Sequence, residues 1–175
     1  SVFSLAKHRI IWLLFLMVSA TFTGGIIKRY ESVLESSVLL AAFIPMLMDT
    51  GGNAGSQSST LVIRGLALGE IDLKDAGKVM WKEFRISIIV GIILAIVNFA
   101  RIYYLEKVDL FVALTVSVTL VVTVMASKII GGLLPILAKK MKIDPAIMAG
   151  PLITTIVDAL SLTVYFAMAS WILNI

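Results

Sequence analysis

AGPLITTIVDALSLTVYFAMASWIL, residues 149–173, is an apolar stretch long enough to cross a bilayer, and it carries one acid, Asp158. A hydrocarbon core ~30 Å thick takes about 20 residues of α-helix. A charged side chain near its centre costs about 3 kcal/mol on insertion scales. Such residues face a water-filled path or a partner, so an intramembrane acid marks a functional site by default. A second stretch, SVLLAAFIPMLMDTGGNAGSQSSTLVI at residues 37–63, repeats the pattern with Asp49. Two intramembrane acids on separate segments, with a Gly/Asn/Ser/Gln-rich run after the first, point to a cation pathway.

The rest of the composition agrees. Of 175 residues, 59% are hydrophobic and only 15% charged, with a mean hydropathy of +1.03. Soluble domains carry about a quarter charged residues. The net charge of +4 does not indicate nucleic acid, because the basic residues sit at the ends of apolar runs and form no face interleaved with aromatics. There is no cysteine, which excludes disulfides, zinc–thiolate sites and thiol chemistry. The single histidine, His8, stands between Lys7 and Arg9 and reads as a headgroup-level residue without partner ligands. The first apolar run follows a charged start but lacks a convincing cleavage site, so it reads as a retained helix.

Five spans are predicted, near residues 10–27, 37–63, 79–100, 110–138 and 146–173, making the chain a single all-α integral membrane domain. An odd number puts the termini on opposite sides. With the N-terminus inside, Lys7, Arg9, Arg64, Lys74, Lys78, Lys82, Arg85, Lys139, Lys140 and Lys142 are cytoplasmic, and Lys28, Arg29, Arg101 and Lys107 are outside. The positive-inside rule selects that orientation, with the C-terminus outside. Lys128, in the fourth span, is expected to snorkel to the cytoplasmic interface, and Lys82, Glu83 and Arg85 to reach water at the start of the third. Residues 64–78 are expected to form a short interfacial element.

Helical spacing sorts the polar residues. Thr154, Asp158, Ser161 and Tyr165 are four, three and four apart, and so share one face of the fifth span. Asp49, Asn53, Gln57 and Thr60 do the same on the second. Asp158 lies ~21 Å along its helix from Asp144, and Asp49 ~18 Å from Ser37, so both are near mid-depth. Pro151 loosens the backbone beside Asp158, and Pro45 is expected to kink the second span. Gly51, Gly52 and Gly55 allow either a close helix approach or a local break. The oxygen-only donor set suits Mg²⁺, Ca²⁺ or Na⁺ rather than zinc or copper. Mg²⁺ keeps its waters and is held by one or two carboxylates. A twofold dimer would present two Asp158 side chains to a divalent ion. The competing reading makes Asp49 and Asp158 buried acids, bonded to Asn, Ser or Thr across helices or neutral by protonation.

The quoted motifs also resemble a family. PMLMDTGGNAGSQSSTLVIRGLALGEI is similar to the proline plus G-N-x-G-x-Q signature of the MgtE magnesium channels, and DPAIMAGPLITTIVDALSLTVYF to their last membrane helix. The resemblance covers essentially the whole chain. It implies a homodimer in the cell (inner) membrane, with a pore at the dimer interface lined by the second and fifth membrane helices. It implies that Asp158 binds hydrated Mg²⁺, the transported ion, and that Asp144 helps bind Mg²⁺ at the cytosolic mouth. Thr154 and the Gly51–Gly52–Asn53 run would assist with backbone oxygens, and Asp49 is a further candidate. Family members usually carry cytosolic regulatory domains and a plug helix, which this chain lacks.

The leading expectation is a Mg²⁺-selective channel domain. The alternative is a secondary carrier exchanging Mg²⁺, or another divalent cation, for Na⁺ or H⁺. A membrane anchor whose acids serve packing alone is a third reading. Enzymatic motifs are missing from the sequence.

Overall fold

A computed structural model describes the chain from Ser1 to Ile175, except for the side chains of residues 147–149. Five segments are long and apolar enough to cross a membrane: Val2–Arg29, Val38–Ala67, Leu73–Leu105, Leu110–Lys140 and Gly150–Leu173. Their number and order follow the sequence, and most extend a few residues past the predicted ends. In chain order the α-helices are α1 (Val2–Arg29), α2 (Glu31–Ser36), α3 (Ile44–Ala67), α4 (Ala76–Ala100), α5 (Leu110–Lys140) and α6 (Pro145–Leu173). A 3₁₀ segment, Val38–Phe43, leads into α3, and a π-helical turn, Arg101–Leu105, ends α4.

Caps explain the ends. Asp109 and Asp144 each accept a hydrogen bond from the backbone N–H two residues on, at 3.0 Å, and so start α5 and α6. Gly69, at φ +74°, lets the chain turn after α3. The predicted element between the second and third spans is a short 3₁₀ turn, Leu73–Asp75, closed by reciprocal bonds between Asp72 and Asp75.

Pro45 does not kink the second span. It occupies the first turn of α3, where its missing N–H has no helical partner to lose. The change from 3₁₀ to α-helix falls just before it. The Gly51–Gly55 run does not break the helix either; α3 is continuous through it, and the close-approach alternative holds. A Cβ on Gly55 would meet Ile153 at 2.7 Å and the Ser127 carbonyl at 3.2 Å. On the facing helix, a Cβ on Gly131 would lie 2.2 Å from the Gly55 carbonyl oxygen. Here α3 and α5 touch backbone to backbone.

α5 is the central element, packed against α3, α4 and α6, while α6 also touches α3. The core is built from residues such as Leu40, Leu47, Val116, Leu162, Tyr165 and Phe166. α1 buries no residue of its own and packs mainly along α6.

Tyr165 departs from expectation. It is fully buried in this core instead of facing a cation path, and its hydroxyl donates to the Leu40 carbonyl at 2.7 Å. Ser161 is buried as well. The bond ties the 3₁₀ segment to α6. Tyr165→Phe should therefore lower stability by about 1–2 kcal/mol, because a buried acceptor loses its partner. Thermal unfolding in detergent reads this loss, and an unchanged midpoint would show the bond to be idle.

Candidate cation site

α3 and α6 flank an open cleft of about 470 Å³, lined by Ile44, Pro45, Met48, Asp49, Gly52, Asn53, Ser56, Thr154 and Asp158. Five of the seven residues singled out from the sequence thus come together: Asp49, Gly52, Asn53, Thr154 and Asp158. Their spacing explains why. Asp49, Asn53 and Ser56 fall four and three apart on α3, and Thr154 and Asp158 four apart on α6, so each helix turns one stripe of oxygens toward the cleft.

Gly51 lies elsewhere. A Cβ there would meet Thr123 and Val157, each at 2.7 Å, so Gly51 serves the contact of α3 with α5 and α6. Asp144 also lies outside the cleft lining, at the exposed N-terminus of α6, where its carboxylate caps the helix. Ser56 was not anticipated as a lining residue, although its position one turn beyond Asn53 would have identified it.

The hydrogen bonds orient one donor set. Thr154 Oγ1 donates to the Pro151 carbonyl at 2.8 Å, and Thr155 Oγ1 donates to the same oxygen at 3.0 Å. The Thr154 proton is thereby committed along the helix, which leaves its oxygen lone pairs for the cleft. A hydrated cation presents water hydrogens outward. Lone pairs on Thr154 and carboxylate oxygens on Asp49 and Asp158 are acceptors for such hydrogens. Among the described residues, no three Asp, Glu or His side chains gather closely enough to hold a bare metal ion.

In a single copy, this polar face is uncovered. Asp49, Asn53, Gln57 and Thr60 are all exposed along α3, while Asp158 is half-buried. Hydrocarbon gives such groups no partner, so the face requires water or another protein surface.

Two charged residues sit where the sequence reading did not put them. Lys128 does not snorkel and Glu83 does not reach water: both are buried. Lys128 Nζ donates to Gln57 Oε1 at 2.8 Å, and Ser58 Oγ donates to Glu83 Oε2 at 2.6 Å. A signal was present. Glu83, Ser87, Gly91, Ala95 and Asn98 recur every four or three residues, and they form the buried face of α4.

Comparison with known proteins identifies the family. Residues 44–168 match the MgtE family model, described as a divalent cation transporter. The chain is 35% identical over 166 residues to the magnesium transporter MgtE of Thermus thermophilus, covering 95% of this chain and 36% of that protein. It is 36% identical over 165 residues to the magnesium transporter MgtE of Bacillus subtilis, covering 94% and 36%. The chain therefore spans about a third of the length of these curated relatives. With Asp49 and Asp158 both inside the matched region, the chain belongs to the MgtE family.

Proposed function

We propose that the chain is a Mg²⁺-selective channel domain, in which two copies face each other and hydrated Mg²⁺ passes between their α3 and α6 helices. The observation that carries this reading is the uncovered polar cleft, where Asp49 and Asp158 lie together with Asn53 and Thr154. A second copy related by a twofold axis covers that face and supplies a second Asp158. Two carboxylates match the charge of one divalent ion. They bind it through its water shell, since Mg²⁺ dehydrates reluctantly and keeps most of its waters. Thr154 contributes lone pairs, and the exposed Asn53 contributes its amide oxygen. The α3 backbone at Gly51 and Gly52 is helical, so its carbonyls play a smaller part than those side chains.

Asp144 stands at the cytoplasmic mouth, where its charge adds to a Mg²⁺ site beyond its role as a cap. The chain is multi-pass in the cell membrane, with its N-terminus cytoplasmic. The longer relatives are named magnesium transporters, which supports Mg²⁺ as the cargo. Cytosolic regulatory domains accompany this domain in the full-length protein.

The test is a structure of the full chain with Mn²⁺, a divalent ion whose anomalous signal can be located. Density on a twofold axis, about 4–5 Å from each Asp158 carboxylate and so bridged by water, is the expected result. Density elsewhere, with none near Asp158, would overturn the site. Single-channel currents carried by Mg²⁺ identify a channel. Flux that collapses without a Na⁺ or H⁺ gradient would identify a carrier.

A further inference from the structure

Behind the cleft, two opposite charges are buried between α3, α4 and α5. Lys128 is 3% exposed and Glu83 is 6% exposed. They are joined through Ser58, itself 1% exposed. Ser58 Oγ donates to Glu83 Oε2 at 2.6 Å and accepts from Lys128 Nζ at 3.5 Å. The direction of this chain is fixed, because an ammonium only donates and an ionised carboxylate only accepts. Among the described residues, the only direct ion pair is Arg101–Glu106. Arg64, Glu70 and Lys82 share a second cleft with Glu83, but all three are exposed and screened by water. The buried charges therefore answer chiefly to each other.

Such a pair adds little stability by itself, since the loss of hydration offsets the attraction. Its geometry indicates another role. Lys128 also donates to Gln57 Oε1 at 2.8 Å. Gln57 lies four residues beyond Asn53 and eight beyond Asp49, on the same exposed face of α3, or ~12 Å along the helix from Asp49. Its amide oxygen is committed inward to Lys128, which leaves the amide nitrogen for the open face. The ammonium thus stands one side chain behind the polar face of α3, one turn past the Asn53 that lines the cleft.

We propose that Lys128 and Glu83 are positioning residues for the cation pathway: Lys128 fixes the Gln57 amide on the polar face of α3 where it continues past the cleft, and Glu83, through Ser58, cancels the ammonium's charge for a passing divalent ion. The inference rests on the reading of the cleft as that pathway. Without Glu83, an uncompensated positive charge faces the route, and its repulsion of a divalent ion is twice that of a monovalent one.

The experiment is Mg²⁺ influx into liposomes carrying the full chain, per folded protein, for Glu83→Gln, Lys128→Met, the double variant and Asp158→Asn. Glu83→Gln should lower influx about tenfold, because the ammonium is left unbalanced. Lys128→Met should lower influx about threefold, because it frees the Gln57 amide while removing the repelling charge. The double variant should recover to within about threefold of the parent, because neither buried charge remains. A purely structural pair would lower influx about equally in all three. Parent-like influx in Glu83→Gln, or a double variant as impaired as Glu83→Gln, overturns the proposal. If Glu83→Gln does not fold, the double variant decides by the same criterion. Parent-like influx in Asp158→Asn defeats the pathway reading and this proposal with it. Loss in Asp158→Asn together with parent-like influx in Glu83→Gln defeats the pair alone.

Discussion

Asp158→Asn should lower Mg²⁺ influx into liposomes at least about a hundredfold, because each copy loses the charge that holds a divalent ion in its water shell. Asparagine keeps the shape and an acceptor oxygen. Only the charge changes, and in the proposed dimer it changes twice. The side chain is half-buried beside the cleft, and among the described residues it makes no hydrogen bond that anchors the core, so the fold should survive with stability altered by less than about 1 kcal/mol. Asp158→Glu should also impair influx. One more methylene pushes the carboxylate into space that the ion's waters occupy. Radiotracer or dye-based flux at matched protein loading measures both. Parent-like conduction by Asp158→Asn would move the site to Asp49 and Asn53 on the opposite wall of the cleft.

Gly131→Ala should be the most damaging of the glycine-to-alanine changes, since it has the shortest backbone contact among the glycines. Its Cβ would lie 2.2 Å from the Gly55 carbonyl oxygen and 2.9 Å from the Gly55 Cα. Those are backbone atoms within a helix and cannot rotate away, so α3 and α5 must separate. Overpacking of this kind costs about 3 kcal/mol or more. The damage extends to the cleft, because α3 carries Asp49 and Asn53 as it moves. Two other glycines give the scale. At Gly132 the neighbour at 3.1 Å is the Glu83 Cγ, a flexible side chain that can yield. At Gly24 nothing lies within 4 Å, and alanine should be neutral or stabilising by up to about 1 kcal/mol through helix propensity. Thermal unfolding in detergent ranks the three. Equal midpoints for Gly131→Ala and Gly24→Ala would refute the backbone contact.

The spans and the cleft acids were legible because both follow from periodicity. Apolar runs of sufficient length announce membrane helices, and a spacing of three or four residues put Asp49 with Asn53, and Thr154 with Asp158, on single faces. Periodicity says which residues share a face but not what that face meets. Tyr165 continues the stripe of Asp158 and Ser161 by spacing, yet it enters the core because the 3₁₀ segment brings the Leu40 carbonyl within reach of its hydroxyl. Lys128 and Glu83 were misplaced for a related reason. Each, taken alone, is most cheaply accommodated by reaching water. Only packing of three helices reveals that Ser58 stands between them and that Gln57 accepts from Lys128. The glycine run left open whether α3 bends or comes close to a neighbour, and the facing Gly131 decides it. Pro45 was read by its residue type, whereas its effect depends on where the α-helix begins.

α1, which has no buried residue and leans mainly on α6, is freer than its neighbours to change over evolutionary time. Its side chains answer to hydropathy more than to shape, so exchanges among Leu, Ile, Val, Phe and Met are nearly interchangeable there within one copy. α5 has no such latitude, being hemmed in on three sides. Drift in the outermost helix, and restraint in α3 and α6 that flank the cleft and in α5 packed against both, is the pattern that this packing would leave in a lineage.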